Sequence, residues 1–167
     1  TTLFRSRQIM SDNSAIEWTD ATWNPVTGCT KISRGCDNCY AERFSERFRG
    51  VPGHPFESGF DLTLRPARLE QPLGWRRPRM IFVNSMSDLF HERVPFEFID
   101  QVMETIRKTP QHRYQILTKR PARMAEYFGQ REATANAWLG TSVEDRKYGV
   151  PRIGTLRDIE AAVRFLS

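Results

Sequence analysis

All three cysteines of this 167-residue chain fall within eleven residues, as Cys29, Cys36 and Cys39 in a C-x6-C-x2-C spacing. Three thiols on one short loop can share a metal centre and leave one coordination position open. A centre that performs chemistry is built this way, whereas one that only holds a fold is usually closed by a fourth ligand. The odd count argues against a disulfide framework. No signal peptide is read in residues 1–10, where Arg5 and Arg7 have no apolar stretch behind them. No apolar run approaches the roughly 18 residues of a membrane span, so no membrane partner is expected. The expected compartment is the cytoplasm, where thiols stay reduced. Met10 is a natural start, with residues 1–11 expected as a disordered or non-native leader and 12–167 as one domain.

The chain around the loop alternates apolar runs with polar clusters and amphipathic stretches. Residues 12–27 read as one or two short strands, turned by Asn24-Pro25 into the cysteine loop. After Cys39, the aromatics Tyr40, Phe44 and Phe48 fall at i, i+4 and i+8 beside Ala41, and Glu42, Arg43, Glu46 and Arg47 take the other face. That pattern predicts a helix ending at Gly50, with its N-terminus pointing back at the thiols. A short strand is expected at 61–64 and a short helix at 66–73.

The clearest strand is 80–83, apolar on both faces as a buried parallel strand requires. It ends in the polar cluster Asn84-Ser85-Met86-Ser87-Asp88. An amphipathic helix is predicted over 95–108, a strand over 114–117, a helix over 121–128 with Pro121 in its first turn, and a strand over 137–140. Gly149, Pro151 and Gly154 break the helical pattern over 146–160, and 161–166 reads as a last strand.

Strands alternating with helices mean βα units on a parallel sheet, with functional groups at the strand C-termini. A closed eight-stranded barrel takes on the order of 200 residues or more. The expected fold class is therefore α/β, a partial parallel (βα) barrel that is incomplete at its C-terminus. The formal charge of +5, from 25 basic and 20 acidic residues, is a mild excess that admits a nucleic-acid partner without requiring one.

The stretch Gly28-Cys29-Thr30-Lys31-Ile32-Ser33-Arg34-Gly35-Cys36-Asp37-Asn38-Cys39-Tyr40-Ala41-Glu42 resembles the three-cysteine signature of a phage-derived family of uncharacterised proteins. That family is similar to a divergent branch of the radical S-adenosylmethionine (SAM) enzymes. The resemblance extends to Trp23-Asn24-Pro25, to Phe82-Val83-Asn84-Ser85-Met86-Ser87-Asp88-Leu89-Phe90-His91, to Leu117-Thr118-Lys119-Arg120-Pro121 and to Leu139-Gly140-Thr141-Ser142-Val143-Glu144. It covers roughly residues 14–167. Family members generally run on past this length, so the chain looks like their N-terminal part.

The resemblance implies a barrel of radical SAM type and a [4Fe–4S] cluster held by Cys29, Cys36 and Cys39. It implies SAM chelated by the fourth iron, a reducing electron donor, and hydrogen abstraction from a substrate it does not identify. By the same resemblance Asp88, with Asn84, Ser85 and Ser87, would hold the amino group of SAM. The residues following the next two strands suit the same ligand. Lys119, with Arg120 beside it, could bind a carboxylate or phosphate, and Ser142 and Glu144 could reach ribose hydroxyls or the methionine moiety.

The usual radical SAM spacing is C-x3-C-x2-C, with an aromatic before the last cysteine. Here the first gap is six residues, Asn38 precedes Cys39, and the aromatic Tyr40 follows it. Two other readings stand beside this one. One is a zinc-stabilised nucleic-acid-binding module without catalysis, using the Cys36–Cys39 pair and one of His54, His91 or His112. The other is an inactive truncated remnant.

Overall fold

The computed structural model describes residues 16–167. The expected leader, and the part of the first strand expectation before residue 16, lie outside the described residues. In chain order the elements are β1 (Ala21–Trp23), β2 (Val26–Thr27), a 3-10 turn at Arg34–Cys36, α1 (Tyr40–Glu46) and β3 (Thr63–Leu64). Two further 3-10 turns follow, at Pro66–Arg68 and Gln71–Gly74, where one short helix was expected. Then come β4 (Met80–Val83), α2 (Phe96–Lys108), β5 (Arg113–Thr118), α3 (Pro121–Phe128), β6 (Ala137–Thr141), α4 (Gly149–Arg157) and β7 (Val163–Leu166).

Five strands form one parallel sheet in the order β1-β4-β5-β6-β7, and β2 and β3 make a small antiparallel ribbon. The α/β expectation on a parallel sheet therefore holds. Among the described residues the sheet is open, with β1 and β7 as its edges. Each new strand is added on the same side as the last. With right-handed crossovers, this order puts the connecting helices on one face.

Side-chain alternation separates the two faces. Ala21, Trp23, Ile81, Val83, Tyr114, Ile116, Ala137 and Leu139 are in register across neighbouring strands and belong to the buried core. Against them pack Ile99, Val102, Met103 and Ile106 of α2 and Met124 and Tyr127 of α3. Burying an aliphatic side chain of this size contributes about 1.5–3 kcal/mol, so this face carries most of the stability. In the opposite row Phe82 and Gln115 are buried, while Thr22, Trp138 and Val163 are half-buried. Gly140 lies on that side because the Phe165 ring occupies the space a side chain would need.

The helices form for local reasons. α2 starts after Pro95, carries Glu97 in its first turn, and has Arg107 and Lys108 in its last. These charges complement the helix dipole. α4 exists despite the breakers seen in the sequence. Pro151 falls in its first turns, where a backbone donor is not needed. Asp145 accepts hydrogen bonds from the Tyr148 and Gly149 amides at 2.6 and 3.3 Å. Gly149 itself permits a close approach, since a side chain there would stand 2.8 Å from the Glu144 nitrogen.

α1 departs from the sequence reading. Its buried residues are the small Ala41 and Ser45, while Tyr40 and Phe44 are exposed. Small side chains let the helix lie close to the protein, and the aromatic stripe is turned outward. Among the described residues no helix is long and apolar enough to cross a membrane.

Candidate metal and cofactor site

The polar clusters read at the strand ends do converge. Behind the C-termini of β4, β5 and β6 lies a cavity of about 520 Å³. Its wall contains Cys29, Cys36 and Cys39, together with Asn84, Ser85, Ser87, Asp88, Lys119 and Ser142. Of the residues proposed from sequence, only Glu144 is absent from this wall. Trp18, Tyr40, Phe60, Phe82 and Leu117 supply its apolar part. The sequence marked none of these five as cavity residues, because nothing local distinguishes a cavity aromatic from a core one.

The long first cysteine gap has a structural explanation. Residues 30–35 run across the strand ends and are tied down at both ends. At the near end the Arg120 guanidinium donates to the Thr30 carbonyl at 3.0 Å and to its hydroxyl at 3.2 Å. The same group reaches Cys29 Sγ at 3.5 Å, Asp88 Oδ2 at 3.2 Å and Glu92 Oε2 at 3.0 Å. His91, fully buried, meets Thr30 Oγ1 through Nε2 at 2.9 Å. Its Nδ1 accepts the Arg93 amide at 3.1 Å, so the neutral ring carries its proton on Nε2 and donates to Thr30. Burial, with Arg120 nearby, pushes the His91 pKa down and keeps it neutral.

At the far end Ser33 Oγ donates to Glu144 Oε1 at 2.7 Å, and Arg152 Nη1 donates to both Glu144 oxygens at 2.9 and 2.8 Å. The Glu144 side chain fills the space over Gly35, where any larger residue would overlap it. Burial pushes the Glu144 carboxyl up, but the bonds from Ser33 and Arg152 outweigh it and hold the group below its usual range. Glu144 thus fastens the cysteine loop to α4. It does not face the cavity as the SAM ligand it was expected to be.

Asp88 is also committed within the protein. Its Oδ1 accepts the Phe90 amide at 3.0 Å and the Thr118 hydroxyl at 2.7 Å. Its Oδ2 accepts the Lys119 amide at 3.0 Å, besides Arg120. A carboxylate has about four acceptor sites, and all four are taken, so an ammonium would have to displace one of these donors. Ser87 Oγ donates to the Val26 carbonyl at 2.8 Å, and Ser85 Oγ to Asn24 Oδ1 at 3.3 Å. The Tyr40 hydroxyl donates to the Ser85 carbonyl and ties α1 to the end of β4.

Two residues of the wall are not fully engaged. Lys119 makes no ion pair among the described residues, and its Nζ lies 3.5 Å from Ser142 Oγ. Asn84 is buried with a left-handed φ of 57°. Its Oδ1 accepts the Val26 amide at 3.3 Å, while its Nδ2 is buried without a partner. Leaving such a donor unsatisfied costs about 1–3 kcal/mol.

Gly28 sets the entry to the loop. Its φ of 81° is left-handed, and a side chain there would run into the Asp61 and Phe60 carbonyls. Its amide donates to the Met86 carbonyl at 3.0 Å, which holds the loop beside the polar cluster after β4. Gly28→Ala is expected to destabilise the protein by about 2–4 kcal/mol, combining backbone strain with overpacking. The urea midpoint measures this. A loss under about 0.5 kcal/mol would show that the turn relaxes freely.

The three thiols are free and partly buried. Burial pushes the Cys29 thiol up, and Arg120 offsets part of this, so ligation by Cys29 would release a proton. Among the described residues no group of three or more His, Cys, Asp or Glu side chains is gathered closely enough to hold a metal ion. An iron–sulfur cubane makes a different demand, because each thiolate binds a separate iron. Three thiols on one cavity wall fit that chemistry. The histidines named for a zinc site are engaged by other partners. His54 stacks on Phe48 with centroids 3.9 Å apart, His112 Nε2 lies 3.3 Å from the Pro72 carbonyl, and His91 is held by Thr30.

A family model described as a protein of unknown function, DUF5131, matches residues 13–167. No curated protein and no solved structure matches the chain.

Proposed function

We propose that this chain, which belongs to the DUF5131 family, binds a [4Fe–4S] cluster through Cys29, Cys36 and Cys39 and takes SAM into the adjoining cavity as a radical enzyme. The observation that carries the reading is the convergence of three thiols and the ammonium of Lys119, which makes no ion pair among the described residues, on one cavity wall. When bound, the cluster would pass one electron from a reducing donor to SAM, whose reductive cleavage leads to hydrogen abstraction from a substrate. The sheet then reads as part of a barrel wall, since its parallel strands follow one another in sequence order across an open sheet.

The chain's own residues divide the work. Arg120 and Glu144 hold the cysteine loop across the strand ends, and Asp88 orients Arg120. Lys119 offers the charge for a ligand carboxylate, and Asn84 ties the end of β4 to the Val26 amide. Trp18, Phe82 and Leu117 give the cavity an apolar side.

Isothermal titration of SAM into anaerobically reconstituted protein tests the reading. Lys119→Met is expected to weaken SAM binding by about tenfold or more, the loss of one charge-assisted hydrogen bond. Unchanged affinity would remove Lys119 from the site. No SAM binding at all by iron-loaded protein would end the radical SAM reading.

A further inference from the structure

Of the outward aromatic stripe of α1, only Tyr40 enters the site above. Tyr40 is 56 % exposed and Phe44 44 %. Arg43 and Arg47 alternate with them at helical spacing, and these four side chains alone line a groove of about 310 Å³. Arg34 and Ile32 of the cysteine loop are exposed nearby in sequence. Among the described residues Arg34, Arg43 and Arg47 form no ion pair, and the one side-chain bond of Arg43 is to the Asn38 carbonyl of its own loop. Exposed rings are costly on a surface without a partner, and cations free of carboxylates favour an anion.

We infer that this face of α1 binds single-stranded nucleic acid, with bases stacking on Tyr40 and Phe44 and phosphates meeting Arg43 and Arg47. Rings interleaved with arginines match the alternating base and phosphate of an unpaired strand. A duplex hides the base faces that such rings would stack on, and an acidic peptide has no planar group to place on them. Tyr40 also lines the thiol cavity, so a strand along this groove runs past the cavity mouth. The inference adds a substrate class to the proposed radical site. Binding itself needs no metal.

Fluorescence anisotropy of a labelled oligothymidylate of about 12 nucleotides, within the usual site sizes, tests this on the full chain with and without reconstituted iron. Tight binding at low salt that falls steeply with added salt is expected, with a log–log slope of about 0.7 per phosphate contacted. Arg43→Gln with Arg47→Gln should lower that slope by about one to two contacts, and Phe44→Ala should weaken binding about tenfold. Phe44 also packs on Phe48 and Phe56, with centroids 5.2 and 5.7 Å away. The exposed arginine pair therefore gives the variant independent of folding. Equal affinity for duplex, equal displacement by polyglutamate, or affinity untouched by the arginine pair would each overturn the inference. Oligonucleotide binding by iron-free protein would sustain it even if the cluster reading failed.

Discussion

Arg120→Met is expected to lower stability by about 2–4 kcal/mol and to release the cysteine loop. Arg120 and Asp88 are each about nine-tenths buried, so removing the cation strands a carboxylate away from water. Breaking such a buried pair typically costs about 3–5 kcal/mol. The lower range applies because Asp88 keeps the Phe90 and Lys119 amides and the Thr118 hydroxyl. The bond to Glu92 adds little, since Glu92 is exposed. Arg120→Lys should recover only part of the loss, because one ammonium cannot span the acceptors that the guanidinium fork reaches. Urea unfolding measures the stability. Limited trypsin digestion reads the loop, since Lys31 and Arg34 lie exposed within it, and cleavage there should be faster in the Met variant. A stable variant with an uncut loop would show that the Ser33–Glu144 and Thr30–His91 contacts suffice to hold the segment.

The second large effect concerns the thiols. Cys36→Ala is expected to abolish iron retention after anaerobic reconstitution while leaving the urea midpoint within about 0.5 kcal/mol, the usual range for an unconstrained surface site. Cys36 is only partly buried, and the hydrogen bond from Arg120 goes to Cys29. Cys29→Ala should lose iron and also loosen Arg120, so its stability should fall further. Full iron content in Cys36→Ala would mean that the metal sits elsewhere.

Much of this architecture was legible because apolar runs and helical spacing are local signals. The parallel strand at 80–83 and the helix at 121–128 appear at the expected residues. The strand-end clusters were legible too, since polar residues after apolar strands mark the open end of a parallel sheet. The remainder depended on tertiary context. β3 falls inside the strand expected at 61–64, but the two-residue β2 is too short to carry a period. α4 was hidden by Pro151 and Gly149, whose places in its first turn and against the Val143–Glu144 backbone are visible only in the fold. α1 turned its aromatics outward because Ala41 and Ser45 permit the closer approach. The partners of Glu144 lie 111 residues away at Ser33 and eight away at Arg152, and no spacing rule predicts that pairing. The six-residue cysteine gap looked like a departure in the sequence, and in the fold it is the length that reaches from Arg120 to Glu144.

The central claim is that the three cysteines hold an iron–sulfur cluster. Iron and acid-labile sulfide analysis of anaerobically reconstituted protein, with its visible absorbance spectrum, tests it most directly. The account predicts about four irons and four sulfides per chain with broad absorption near 400 nm, all lost in Cys36→Ala. Colourless protein holding one tightly bound zinc per chain would contradict it.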